Sequence, residues 1–185
     1  MDISSIDKYN SRIKRVLITK EEIDEALDRA ASQINALYDG RPVLLVSILK
    51  GAFNFMADVC RRVPVPCEIG FMCAKSYYNG TVSVGEVNIT MGLDQDVSQY
   101  HVVIVEDIID TGRTLSEVVK LLKERKPVSL TVLTLLDKPS RREVDFVPDI
   151  ALFTIPDSFV IGYGMDCAEY YRNLPYIAEY DEEGK

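Results

Sequence analysis

The sequence predicts a single α/β domain, residues 1–185, with a central, mainly parallel sheet and helices on both of its faces. Three observations carry that prediction. Residues 43–48, 102–105 and 128–136 are nearly unbroken apolar runs rich in Val, Leu and Ile, the pattern of strands buried on both faces. Segments of helical periodicity separate them, the alternation that gives parallel strands joined by crossover helices. No internal repeat, low-complexity stretch or linker divides the chain. A domain of 185 residues buries about 70% of the surface its unfolded chain exposes, enough for a core without staples.

Thr19 and Glu22 make a capping box that opens a helix, Ile23, Ala26, Leu27, Ala30, Ile34 and Leu37 supply its apolar stripe, and Gly40 ends it. The strand over 43–48 runs into Leu49-Lys50-Gly51 and a helix over 52–62. Residues 67–74 form another strand, 75–80 turn, and 84–91 return as a strand. A polar connection over 94–99 leads to the central strand, which His101 enters; a lone histidine there is structural. Thr114 with Glu117 fits a second capping box, and Leu115, Val118, Val119, Leu121 and Leu122 form the stripe of the helix behind it. The strand over 128–136 ends at Asp137-Lys138, which puts a cation at its carboxyl end. Residues 150–155 form a short strand and 159–164 a further extended piece leading to Asp166. Gly162 and Gly164 make no dinucleotide fingerprint, because Cys167 holds the third glycine position.

The chemistry concentrates where the central strand ends. Glu106 and Asp107 are adjacent carboxylates at the carboxyl edge, where open α/β sheets bind ligands. Asp110-Thr111-Gly112-Arg113-Thr114 then offers two hydroxyls, a glycine that admits a ligand to the backbone, and the N–H groups of a helix start, which favour an anion. Acids able to hold sugar hydroxyls or magnesium therefore lie one turn from a phosphate site. Capping alone explains any one of these residues but not three acids with Thr-Gly and Thr in nine positions.

This run resembles the phosphoribosyl pyrophosphate signature of type I phosphoribosyltransferases, in the form carried by hypoxanthine-guanine phosphoribosyltransferases. Matching motifs follow in the same order from Leu49 to Arg172. The resemblance implies a small hood from the N- and C-terminal segments, a mobile lid over about 75–91, and a peptide before Lys50 that is often cis. It implies transfer of the 5-phosphoribosyl group to hypoxanthine or guanine in purine salvage, with magnesium as cofactor. Phosphoribosyl pyrophosphate would be bound by Lys50, Gly51, Ser76, Tyr77, Glu106, Asp107, Asp110, Thr111, Gly112, Arg113, Thr114 and Arg172. Glu106, Asp107 and Asp166 would hold the metal. Phe159 would stack on the base, Lys138 would donate to its 6-oxo group, and the backbone of Val160 and Asp166 would read the pyrimidine-ring edge. Asp110 would be the catalytic acid or base at purine N7. Arg113 stands where many relatives carry lysine, a change that backbone-dominated contacts tolerate. Two alternatives stay open: a xanthine-preferring transferase, and a pyrimidine-operon regulator of the same fold that binds RNA.

Bulk properties suit the first reading. Hydrophobic residues make up 47% of the chain and charged residues 27%, as in a soluble globular protein. A net charge of −8 argues against a nucleic-acid coat and makes magnesium and local N–H groups the means of accepting a phosphorylated substrate. The four cysteines show no Cys-x-x-Cys spacing and His101 is the single histidine, so a zinc site is not expected. The N-terminus lacks a signal-peptide pattern and no apolar run approaches a membrane span, so a cytoplasmic enzyme is expected. Its partners would be phosphoribosyl pyrophosphate and an oxopurine base, with no nucleic acid and no membrane. Family members commonly form homodimers or homotetramers.

Overall fold

A computed structural model of the chain describes residues 11–76 and 87–181. Tyr77 and the middle of the implied lid lie outside the described residues. Among the described residues, nine strands and three α-helices follow in the order β1 (Ile13–Ile18), α1 (Lys20–Tyr38), β2 (Val43–Leu49), α2 (Phe53–Arg62), β3 (Cys67–Ser76), β4 (Val87–Met91), β5 (His101–Ile109), α3 (Arg113–Glu124), β6 (Ser129–Asp137), β7 (Ile150–Thr154), β8 (Val160–Ile161) and β9 (Ile177–Tyr180).

Six strands form one sheet in the order β4-β3-β2-β5-β6-β7, parallel except for β4, which runs antiparallel to β3. The alternation of side chains along β2 and β5 divides the core between two faces. Val43, Leu45, Val103 and Val105 pack with Ile23, Leu27 and Ile34 of α1 and Phe55, Met56 and Val59 of α2. Leu44, Val46, Val102 and Ile104 pack on the other face with Leu115, Val118, Val119 and Leu122 of α3. Residues 43–46 of β2 and 102–105 of β5 are therefore apolar at every position, because neither face meets water there.

A second, antiparallel sheet has the order β1-β9-β8, so a strand near each end of the described chain pairs beside the short β8. The sequence reading assigned no strand to β1 or β9. Lys14 and Arg15 interrupt the apolar pattern of β1, and its pairing with β9 contains register shifts, which removes the clean alternation that marks a strand.

Four local expectations change. Leu37 and Leu121 are exposed, 52% and 40%, instead of joining the helical stripes. In α1 the place falls to Tyr38, which completes the i, i+4 row after Ile34 and whose hydroxyl donates to Thr131 Oγ1 at 2.7 Å. Thr114 and Glu117 form no capping box, because α3 starts two residues early with Gly112 as its N-cap in a left-handed conformation, φ 80°, and the N-cap residue supplies no side-chain hydrogen bond. Glu106 and Asp107 do not follow the central strand but belong to it, since pairing with β6 continues through Ile109↔Asp137. Of the extended piece at 159–164, strand geometry holds only Val160–Ile161.

His101 fulfils the structural expectation: its Nδ1 lies 2.8 Å from Ser129 Oγ, and its ring meets Tyr38 at 5.1 Å between centroids. The helix capped by Thr19 and Glu22 has both reciprocal hydrogen bonds. No helix among the described residues is long and apolar enough to cross a membrane.

Candidate active site

The parallel strands β2, β5 and β6 all end on one edge, and there the sequence-predicted residues converge. Lys50, Gly51, Asp107, Asp110, Lys138, Phe159, Val160, Asp166 and Arg172 line one cavity of 380 Å³, with Ile108 and Met165. An adjoining cavity of 220 Å³ takes in Glu106, Asp107, Asp110, Thr111, Gly112 and Thr114. Asp107 and Asp110 line both, so the acids stand between a wider compartment carrying an aromatic ring and a narrower one closed by the start of α3.

Close backbone packing makes this convergence possible. A Cβ on Gly51 would lie 1.9 Å from Asp107 Oδ2, so only glycine lets the loop after β2 rest on the carboxylate of β5. The Leu49–Lys50 peptide that opens this loop is cis. Gly164, at φ 106°, presses on the same loop from the other side: its Cβ would lie 2.0 Å from the Gly51 carbonyl oxygen. Three chain segments distant in sequence thus meet at Gly51.

At the narrow compartment the N-cap residue of α3, Gly112, supplies no side-chain hydrogen bond, an arrangement that suits an anion. Arg113 turns away from it and pairs with Glu143 at 2.6 Å, leaving backbone and hydroxyl groups as the local donors. Ser76 closes β3.

The acids are heavily perturbed. Burial, then the Asp107 charge, raises the Glu106 carboxyl well above the usual carboxylate range, and its Oε2 is buried without a hydrogen-bond partner. Asp107 is pushed up to about 6, chiefly by burial; hydrogen bonds from the Asp107 and Ile108 backbone N–H groups and the Arg172 guanidinium oppose the rise. An orphaned acceptor beside a second strained carboxylate is a site that a cation would relieve. Among the described residues no three acidic, histidine or cysteine side chains close into a metal cluster, so a cation here would complete its shell with ligand or water oxygens, as magnesium characteristically does. Asp166 lines the same cavity as Asp107, its charge adds to the rise of the Asp107 carboxyl, and it binds the Arg172 guanidinium at 2.8 Å.

Lys138 is 7% exposed, unusual for lysine, and its N–H bonds to the Ile109 carbonyl at the end of β5. Phe159 packs against Tyr180 of β9 with 6.1 Å between ring centroids, which fixes an aromatic face at the cavity wall.

The structure also brings in residues to which sequence reasoning assigned no role. Arg141 donates from Nε to Asp110 Oδ1 at 3.2 Å, and Arg142 donates to the Asp110 carbonyl at 2.7 Å and pairs with Asp137. Asn54 Nδ2 donates to the Arg172 carbonyl at 2.9 Å, and Glu169 contacts both Lys50 and Arg172. The signal for the first two was present in the Arg141-Arg142 pair just after a strand end. Nothing in the local pattern marks Asn54 or Glu169.

A sequence profile of the phosphoribosyl transferase domain matches residues 18–168. The hypoxanthine-guanine phosphoribosyltransferase of Streptococcus pneumoniae is 46% identical over 171 residues, covering 92% of this chain and 95% of that protein. The hypoxanthine phosphoribosyltransferase of Salmonella typhimurium is 48% identical over 166 residues, covering 89% and 93%. A crystal structure of a hypoxanthine phosphoribosyltransferase from Staphylococcus aureus superposes with a TM-score of 0.89 at 42% identity, covering 94% of each chain. By sequence and by fold, the chain belongs to the hypoxanthine phosphoribosyltransferase family of phosphoribosyltransferases.

Proposed function

We propose that the protein transfers the 5-phosphoribosyl group of phosphoribosyl pyrophosphate to N9 of hypoxanthine, and of guanine, giving the nucleoside monophosphate and pyrophosphate with magnesium as cofactor. The observation that carries this reading is the single cavity in which Lys50, Asp107, Asp110, Lys138, Phe159, Asp166 and Arg172 meet.

Each group has a part in that reaction. The start of α3 and the Thr111 and Thr114 hydroxyls bind the 5-phosphate, whose charge the helix end favours. Lys50, the Gly51 backbone and Arg172 receive the pyrophosphate. Phe159 offers its face to a flat base, buried Lys138 donates to an oxygen at C6, and the Val160 and Asp166 backbone reads the far edge. Glu106 and Asp107 would hold the ribose hydroxyls and one magnesium, and Asp166 would hold a second; magnesium held there would supply charge neutralisation for the leaving pyrophosphate.

Asp110 takes the proton from N7 of the base as the N9 electron pair forms the bond to the anomeric carbon. The bond from that carbon to the pyrophosphate oxygen breaks with its electrons leaving on oxygen, so atoms and charge balance. Arg141 at 3.2 Å steadies the Asp110 carboxylate against the cavity.

The test is formation of nucleotide and pyrophosphate by purified protein with magnesium, phosphoribosyl pyrophosphate and, separately, hypoxanthine, guanine, xanthine, adenine and uracil. Product with hypoxanthine and guanine is expected. Product with xanthine alone would move the specificity, and tight phosphoribosyl pyrophosphate binding without product from any base would reject the reaction.

A further inference from the structure

Lys50 and Arg172, the two cations assigned above to the pyrophosphate, both hold the same atom of the protein. Glu169 Oε2 accepts from Lys50 Nζ at 3.0 Å and lies 3.2 Å from Arg172 Nη2. Arg172 is otherwise fixed: Nη1 donates to the Gly164 carbonyl at 2.7 Å and Nη2 also reaches Asp166 Oδ1 at 2.8 Å. Lys50 is 68% exposed along its side chain and Glu169 65%, so this carboxylate sits at the mouth of the cavity and not within the core.

The loop bearing Glu169 is shaped to put it there. Ala168, Glu169 and Tyr171 all adopt left-handed backbone, φ 51°, 71° and 75°, which side chains larger than glycine avoid. The Glu169 N–H is tied to Asp166 Oδ2 at 2.8 Å. A loop of ordinary conformation would not return a carboxylate between Lys50 and Arg172.

We propose that Glu169 is an internal stand-in for the pyrophosphate: its carboxylate occupies the two cations when the site is empty, and an incoming pyrophosphate group displaces it. The proposal rests on the assignment of Lys50 and Arg172 to that group. Displacement sets the affinity for the anion, because binding is weakened by the fraction of molecules in which the cations are already engaged. The same capture favours departure of pyrophosphate after transfer, when Glu169 can retake the cations. The hydrogen-bonding loop therefore acts as a specificity and release device, with Glu169 a positioning residue that never meets the reacting carbon. Exposed ion pairs are individually weak, so the expected effect is moderate.

The test is equilibrium binding of magnesium pyrophosphate to the full chain and to two variants. Glu169→Gln removes the competing charge; Glu169→Asp keeps the charge but withdraws it by one methylene. Both are expected to bind pyrophosphate about three- to tenfold more tightly and to show correspondingly stronger product inhibition, the size two exposed pairs can supply. Binding of the nucleoside monophosphate product, which lacks a pyrophosphate, is expected to stay unchanged, as a merely structural defect would not allow. Tighter binding by Glu169→Gln alone would overturn the proposal in favour of simple charge repulsion, and unchanged or weaker binding in both would overturn it outright. Failure of the unaltered protein to bind pyrophosphate would instead reject the assignment of Lys50 and Arg172.

Discussion

The two loops that face each other across the cavity are built in opposite ways. Residues 106–114 comprise the end of the central strand β5 and its direct connection into α3, so the positions of their functional groups are set by their immediate neighbours in the chain. Residues 162–172 belong to no strand. They are held by isolated bridges, Gly162↔Met165 and Cys167↔Tyr170, and by left-handed backbone at Tyr163, Ala168, Glu169 and Tyr171. Their shape is imposed from outside, by Asn54 on the Arg172 carbonyl, by Asp58 accepting from the Tyr163 hydroxyl at 2.6 Å, and by the contact of Gly164 with Gly51. The first loop carries chemistry on a rigid frame; the second borrows its frame from α2 and from the loop after β2. Damage to the first is therefore expected to cost turnover with the fold intact, and damage to the second to cost geometry and stability together.

The largest effect belongs to the first loop. Asp110→Asn keeps size and hydrogen bonding but cannot accept a proton, and kcat is expected to fall about 10²- to 10⁴-fold, the usual contribution of a positioned acid or base. Phosphoribosyl pyrophosphate binding and melting temperature are expected to change little, since Asp110 is partly exposed and its backbone contacts remain. Turnover equal to that of the unaltered enzyme would remove Asp110 from the mechanism and leave Arg141 without a catalytic partner.

Gly164→Ala tests the second loop. The added Cβ would meet the Gly51 carbonyl oxygen at 2.0 Å, a backbone atom that cannot rotate away, and φ 106° is itself unfavourable to alanine. Backbone strain of this kind costs about 1–3 kcal/mol, which would appear as a lower melting temperature and, because Gly51 carries the pyrophosphate contact, as a raised KM for phosphoribosyl pyrophosphate. Gly92→Ala is the control: its Cβ would meet nothing within 4 Å, so neither quantity should move. Equal behaviour of the two variants would show that the second loop does not depend on its contact with the loop after β2.

The same contrast explains what could be read in the sequence. The buried strands, the helices and the run from Glu106 to Thr114 were legible because periodicity and contiguous motif both report local structure. Even there, the capping-box pattern at Thr114 misled, since Gly112 takes the left-handed N-cap instead and leaves the helix end open for a ligand. Lys138, Phe159, Asp166 and Arg172 could be named only by resemblance to a family. They lie on three separate segments, and their meeting depends on the sheet order and on glycine contacts that no spacing encodes. Glu169 was invisible for the same reason: its partner Lys50 is 119 residues away, and a single exposed glutamate carries no signal.

The last expected effect runs against intuition, because it removes a functional acid and stabilises the protein. Glu106 has a raised carboxyl pKa in the fold, caused first by burial and then by the Asp107 charge, and its Oε2 lacks a partner. A raised folded value means that the fold holds the proton more tightly than the unfolded chain does. The contribution of these two groups to stability is then greatest at low pH and is lost as pH rises from the usual carboxylate range near 4 through the folded values, of which Asp107 marks about 6. Glu106→Gln cannot ionise and escapes its share of that loss. In the absence of ligand and metal at pH 8 it is expected to be more stable by about 1–3 kcal/mol, the scale of an uncompensated buried polar group. For a chain of this size that is a rise of about 2–4 °C per kcal/mol in melting temperature. At pH 4 the two proteins should melt nearly together, and turnover with magnesium should be lower in the variant at every pH. Melting curves recorded across this range decide the matter: a Glu106→Gln protein less stable than its parent at pH 8 would mean that the buried carboxylate is satisfied in solution and that the strain at the end of β5 is not available to a cation.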